Sequence, residues 1–221
     1  MSIVMISDVH ANHEALTALS DLLRSAERVI CLGDFVGYYA QVNEVFDFLR
    51  PLDPICVLGN HDSYLLQGCP EDVPEAVRFG IDLADRLIDP DHRRWLATLP
   101  WCWGGEISGV SCLLSHGSPW RPLTDYLYAD RIDRPRFADF SYEVIAFGQT
   151  HRPLLLTEQH PHLLNPGSVG QSRHAPAVAC AAVIDATPLR VRRVERGYDP
   201  TPVMALARRH GAPEGIEKHL K

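Results

Sequence analysis

Short apolar runs recur along the chain, each closed by a polar or glycine-bearing turn. The first, Ser2–Ile6, is rich in β-branched residues and predicts a buried strand. Over residues 14–25, Leu16, Leu19, Leu22 and Leu23 recur at helical spacing, and Asn12 stands upstream as a cap. Residues 28–32 predict a second strand, 43–50 a helix with Val45, Phe46 and Leu49 on one face, and 55–58 a third strand. Strands alternating with helices at this spacing imply a largely parallel sheet. Residues 70–99 read as helical, with Val77, Ile81, Ala84 and Ile88 near one face and Pro90 dividing the run. Strands resume at 110–114, 144–147 and 154–156. Residues 178–184 and 189–194 suggest a hairpin turned by Ala186-Thr187-Pro188. From Asp199 the chain is polar and predicts a peripheral helix or a frayed end.

The polar residues fall where these strands stop. Asp8 and His10 follow the first strand, Gly33-Asp34 the second and Gly59-Asn60-His61-Asp62 the third. His116 follows the strand ending at Leu114, and Gly148-Gln149-Thr150-His151 the one ending at Phe147. In open α/β sheets, ligands bind beyond the carboxyl ends of the strands. Residues two apart in an extended segment point the same way, so Asp8 and His10 are expected to grip one cation together, and Gln149 and His151 to face one site. Carboxylate, imidazole and amide oxygen together suit Mn, Fe, Zn or a similar divalent ion.

Composition narrows the function classes. A chain of 221 residues, 46% of them apolar, is long enough for one packed domain. Its net charge of −7 argues against a stable nucleic-acid complex, whose footprint is normally basic. Cys31, Cys56, Cys69, Cys102, Cys112 and Cys180 form no C-x-x-C pair and read as reduced thiols. The start, MSIVMISDVH, has no basic leader, and no run approaches the roughly 20 apolar residues of a membrane span, so a cytoplasmic protein is expected.

The ordered set D-x-H, G-D, G-N-H-D, a lone His and G-Q-T-H resembles the calcineurin-like metallophosphoesterases, above all their small bacterial members. The resemblance runs from Met1 to about Val194, through NPGSVGQSR at 165–173. It implies an α/β fold of two facing mixed β-sheets flanked by helices, with a small helical insertion. The expected domain spans 1–198, with 63–105 and 119–140 as lid or insertion segments and 199–221 as a C-terminal tail. Carried over by position, it implies that Asp8, His10 and His151 hold one divalent metal ion, that Asn60, His116 and Gln149 hold a second, and that Asp34 bridges them. Manganese is expected first, with Fe, Zn, Ni or Mg as alternatives. A metal-bridging hydroxide would attack a phosphomonoester or phosphodiester, and His61 would protonate the leaving oxygen. The implied partner is a small phosphate ester, with cyclic nucleotides and dinucleoside polyphosphates as alternative substrates. A catalytically weak metal-binding scaffold or sensor is the alternative of another class.

Two departures stand out. The family usually has G-H-x-H, and Gln149 occupies the place of the first His. Its amide oxygen is a harder, neutral ligand; otherwise water fills that place. The phosphoprotein-phosphatase branch extends its G-D motif with an Asp and an Arg, and Phe35-Val36-Gly37-Tyr38 supplies neither. Phosphate orientation is therefore expected of Asn12, Arg152 or Arg173. The histidines outside the strand ends, His13, His92, His160, His162, His174, His210 and His219, read as surface residues. The tryptophans Trp95, Trp101, Trp103 and Trp120 read as packing more readily than as base-stacking platforms.

Overall fold

The computed structural model describes residues 2–221. The first sheet contains β1 (Ser2–Ile6), β2 (Arg28–Cys31), β3 (Ile55–Cys56), β9 (Val178–Ala186) and β10 (Leu189–Gly197), in the order β10-β9-β1-β2-β3. β1, β2 and β3 are parallel, while β9 runs antiparallel to both β1 and β10. The second sheet contains β4 (Cys102–Ile107), β5 (Val110–Ser115), β6 (Val144–Ala146), β7 (Leu154–Leu156) and β8 (His162–Asn165), in the order β4-β5-β6-β8-β7. β5, β6 and β8 are parallel, and the two edge strands are antiparallel. Both sheets are therefore mixed, as the sequence motifs implied.

Why β1 is apolar at nearly every position is now plain. Ile3 and Met5 point into the layer between the sheets with Leu32, Leu114, Ala146 and Leu164. Val4 and Ile6 point the other way, into a larger cluster beneath the helices. A strand buried on both faces needs an unbroken apolar run rather than alternation. That outer cluster is closed by α1 (His13–Thr17), α2 (Ser20–Ser25), α3 (Val42–Leu49), α4 (Asn60–Gln67), α5 (Glu75–Leu87), α6 (Pro90–Leu96) and α7 (Thr201–Arg209). The second sheet's outer face is covered by residues of the 119–140 segment, where Trp120, Leu127 and Phe137 pack on Ile145, Phe147 and Leu163. Among the described residues no helix is long and apolar enough to cross a membrane.

Several local expectations need correcting. The helix predicted over 14–25 is two short ones, because a tight turn from Leu16 to Leu19 keeps Leu16, Leu19 and Leu23 all buried. Pro90 divides the 70–99 run as expected, since α5 ends at Leu87 and Pro90 opens α6, where its missing N–H goes unneeded. β4, β8 and α4 carry too few apolar residues to read as elements: β4 is CWGGEI and α4 is NHDSYLLQ. The end of the chain is not frayed. Val203, Ala207, Ile216 and Leu220 are buried in the main core.

Candidate metal centre

β1, β2 and β3 run in one direction, as do β5 and β6, and the loops leaving their C-terminal ends meet at one edge of the molecule. Backbone bonds tie these loops together: Asp8 N–H donates to Gly33 O at 3.0 Å, His10 N–H to Asp34 O at 2.9 Å, and Gly148 N–H to His116 O at 2.7 Å. Asp8, His10, Asp34, Asn60, His61, His116, Gln149 and His151 are all buried there. Three groups, Asp8–His10–His151, His10–Asp34–His61 and Asp8–Asp34–His116, each hold their potential ligand atoms within 4.8 Å of one another.

The imidazoles are oriented from behind. His10 Nδ1 lies 3.0 Å from Val36 O, His116 Nδ1 2.7 Å from Leu32 O and His151 Nδ1 2.7 Å from Gln171 O. A carbonyl can only accept, so each Nδ1 carries a proton and each ring turns its Nε2 inward, where the neutral form of the ring offers a lone pair. Those Nε2 atoms meet acceptors. His10 Nε2 is 3.1 Å from His151 Nε2, and His151 Nε2 is 3.3 Å from Asp8 Oδ1. His116 Nε2 is 3.2 Å from both Asn60 Oδ1 and Asp34 Oδ2. Lone pairs packed this closely repel unless a proton or a cation sits among them; with no cation bound, Asp34 draws that proton to His116.

The Asp8-Val9-His10 and Gln149-Thr150-His151 segments were expected to be extended, and they are not. Asp8, His10, Asp34, Gln149 and His151 all have φ between 51° and 65°, the left-handed region. Their side chains converge because the backbone curls around the site, not because of a strand's two-residue period. Asp and His tolerate this region better than most residues. Several non-glycine residues held there together form a concentration of backbone strain of the kind found at functional sites.

Asp62, which the sequence reading left without a role, supports the Asp34 backbone. Its Oδ2 accepts from Asp34 N–H at 2.8 Å and Gly59 N–H at 3.0 Å, and its Oδ1 from Phe35 N–H at 2.9 Å and Val36 N–H at 3.3 Å. A carboxylate at the third helical position reaching back to the N-cap is a known helix-start signal, so the G-N-H-D motif did carry this information. Asp34 in turn accepts from His61 N–H at 2.8 Å, at the positive end of α4. Gly59 is required here because a Cβ at that position would run into the Asp34 carboxylate.

The electrostatics are those of a tightly coupled acid–imidazole cluster. Burial opposes ionisation of Asp34, but His116 and His61 hold it well below the usual carboxylate range. Burial likewise opposes Asp8, and His151 leads the groups that bring it down to about 2. Burial opposes the His116 imidazolium too, yet Asp34 lifts it to about 10. His10 is driven far below its ordinary value by burial and by His61. Burial, then the Asp34 carboxylate beside it, pushes Asp62 up to about 7 against its N–H donors.

The donor set fits divalent cations. Buried Asp8 Oδ1 and Gln149 Oε1 have no hydrogen-bond partner, and the inward lone pairs of His10, His116 and His151 face further acceptors. A family model for the calcineurin-like phosphoesterase superfamily domain matches residues 1–187. The chain belongs to that superfamily. The crystal structure of a metallophosphoesterase from Sphaerobacter thermophilus has a TM-score of 0.86 at 30% identity, covering 100% of this chain and 98% of its own. An uncharacterized protein of Methanocaldococcus jannaschii is 30% identical, over 99% of this chain and 96% of its own. A hypothetical protein from Pyrococcus horikoshii OT3 has the same fold, with a TM-score of 0.85 at 20% identity and coverage of 99% and 97%.

Within this calcineurin-like framework the other expected residues divide. Asn12 was expected to contact phosphate, but it is fully buried and committed elsewhere. Its Oδ1 caps α1 by accepting from Ala15 N–H at 3.1 Å, and its Nδ2 donates to Gly170 O at 2.8 Å and to the Tyr198 hydroxyl at 3.0 Å. Arg152 is exposed beside His151, with no ion-pair partner among the described residues. Arg173 is half-buried, and its backbone N–H donates to His151 O at 3.1 Å. Gln149 lies beside Asp8, its backbone N–H 3.3 Å from Oδ2, while its side-chain amide donates to Leu123 O at 3.2 Å and leaves Oε1 free.

Among the outlying histidines, His92 is no surface residue: it is buried, 3.1 Å from Asp47 Oδ1 and 2.8 Å from an Arg50 nitrogen. Trp120 packs edge-on against Phe137 at 4.9 Å, and Trp95 against Phe35 at 5.6 Å. Trp101 is exposed. The six cysteines are free. Tyr38 packs against the same cluster; its ring lies 4.7 Å from His10 and 5.0 Å from His61.

Proposed function

We propose that this chain hydrolyses a phosphate ester at a pair of divalent cations. The observation that carries the reading is the set of inward Nε2 lone pairs facing one another and two carboxylates, an arrangement that is repulsive without added positive charge. Asp8, His10 and His151 would hold one ion, Asn60, His116 and Gln149 the other, with Asp34 shared. The mixture of oxygen donors and imidazoles suits manganese, with iron or zinc as close competitors. When bound, such a pair activates water and neutralises charge on the phosphoryl oxygens.

The chain's own residues do the rest. The Nδ1–carbonyl bonds fix the tautomer and the aim of His10, His116 and His151. The α4 N-terminus favours the ionised Asp34 carboxylate, and Asp62 fixes the Asp34 backbone in place. His61 serves as the proton donor to the leaving oxygen. Its Nδ1 is buried beside Gly37 without a partner and its Nε2 lies 4.0 Å from Asp34 Oδ2, so Nε2 is the nitrogen that would serve the leaving oxygen. Burial lowers its pKa, with Asp34 acting the other way, so the charge of an arriving phosphate is what would load it with a proton. Hydrolysis of bis(p-nitrophenyl) phosphate by manganese-loaded protein tests the proposal. Asp34→Asn is expected to lose about 100-fold or more in kcat/KM. An Asp34→Asn protein of undiminished activity would overturn it.

A further inference from the structure

Beyond the residues matched by the family model, the end of the chain turns back toward the metal centre. A 3-10 turn at Ile216–His219 is anchored by Ile216 and Leu220, both buried in the main core. It brings Lys218 and His219 against Ser172, Arg173 and His174. These residues follow Gln171 directly, and the Gln171 carbonyl orients His151. With Lys221 they line a concavity of about 150 Å³. Arg152, the residue after His151, lines a second cavity of about 520 Å³, and His174 borders both. His219 lies within electrostatic range of Arg173, His151, Lys218 and Arg152. Arg173 itself acts on the Tyr38 phenol, whose ring packs on His10 and His61.

The charges there do not balance. Lys221 is paired with Glu217 at 2.9 Å and His174 with Glu195 at 3.4 Å. Among the described residues, Arg152, Arg173, Lys218 and His219 have no carboxylate within 4.0 Å. Arg173 Nε is buried with no hydrogen-bond partner. A protein of net charge −7 that gathers three unpaired cations, Arg152, Arg173 and Lys218, one with an orphaned buried donor, around a histidine that burial and Arg173 hold below its ordinary pKa has built a place for an anion beside its metal centre. The patch adjoins the centre through His151 and Tyr38 rather than coinciding with it, so it complements a group other than the one being cleaved.

We propose that Arg152, Arg173, Lys218 and His219 form a subsite for a second, non-scissile phosphoryl group, so that the substrate carries at least two, as a nucleoside or dinucleoside polyphosphate does. This rests on the phosphoesterase reading for its catalytic half only. The test compares the full-length wild type with the Lys218→Gln/His219→Gln double variant and with Lys218→Glu, an exposed position where folding is not at risk. Manganese-loaded proteins are assayed on p-nitrophenyl phosphate, on ATP and on diadenosine tetraphosphate. Separately, EDTA-treated proteins are titrated calorimetrically with inorganic pyrophosphate.

The double variant is expected to raise KM for the polyphosphates about tenfold, as loss of charged hydrogen bonds to an anion would. Its kcat/KM on the aryl phosphate should stay within about twofold, and its pyrophosphate affinity should fall about tenfold. Lys218→Glu should fall further on both polyphosphate measures. Which polyphosphate is preferred distinguishes one nucleoside from two. Equal losses on all substrates, or none, would overturn the subsite, as would a tail-dependent preference for single-stranded oligonucleotides over polyphosphates. If the wild type hydrolyses nothing, the pyrophosphate titration still decides. Binding lost in the double variant supports the subsite and rejects only the catalytic reading, whereas unchanged binding rejects the subsite.

Discussion

Replacing Asp62 by Asn removes one oxygen from a carboxylate that accepts four backbone N–H groups. The Asn carbonyl can keep one pair of donors, either Asp34 and Gly59 or Phe35 and Val36. The amide nitrogen then faces the other pair donor to donor. Two charge-assisted bonds are lost and two buried N–H groups go unpaired, at roughly 1.5–3 kcal/mol each. Removing a charge that burial and Asp34 already push up to about 7 returns part of this. The balance is a loss of about 3 kcal/mol, or roughly 6–12 °C in Tm for a chain of this size. The same bonds hold the Asp34 backbone, so metal affinity should fall as well. Urea denaturation of EDTA-treated protein gives the first quantity and metal titration the second. A stability change below about 0.5 kcal/mol with unaltered metal binding would refute the reasoning.

Three further outcomes are expected. The Asp8 carboxyl titrates near 2 in the folded chain against 3.8 for an ordinary one, so it adds stability above about pH 4 that is lost as the pH falls through 2. Metal-free Asp8→Asn should therefore show a flatter dependence of unfolding free energy over that window, by about 2 kcal/mol, and an unchanged slope would contradict the assignment. Gly59→Ala drives a methyl into the Asp34 carboxylate and should destabilise by about 1–3 kcal/mol while weakening metal binding, measured by the same two titrations. Gln149→Leu removes the unpartnered Oε1 without opening a void. It should lower the affinity for the more weakly held ion about tenfold and leave the tighter one unaffected; two unchanged affinities would mean that Gln149 is not a ligand.

Much of this molecule could be read from its sequence because its chemistry is tied to strand ends. β1 and β7 match their predicted limits, and the Thr187-Pro188 turn joins the predicted hairpin, with Ala186 paired to Leu189. In each case the strands carry more apolar residues than the turns that bound them. β4 and β8 were not legible, since Gly104, Gly105 and His162 dilute their apolar content and their place comes from pairing with neighbours. That these strand ends carry clustered acids and imidazoles was legible from residue type and order, but their backbone geometry was not. The left-handed conformations of Asp8, His10, Gln149 and His151 come from bonds between loops distant in sequence, such as His10 N–H to Asp34 O. Asn12 was misjudged because its polarity fitted two tasks, and only the partner Tyr198, 186 residues away, shows which one it performs. His219 looked like a tail residue because nothing local signals that Ile216 and Leu220 fasten it beside Arg173.

The most direct test is a crystal of manganese-soaked protein measured for anomalous scattering above and below the manganese edge. Two anomalous peaks per chain are expected, one among Asp8, His10 and His151 and one against Asn60 and His116, with an Asp34 oxygen between them. No peak within this cluster at saturating manganese, or peaks only at surface carboxylates, would contradict the assignment of these strand ends as a metal centre.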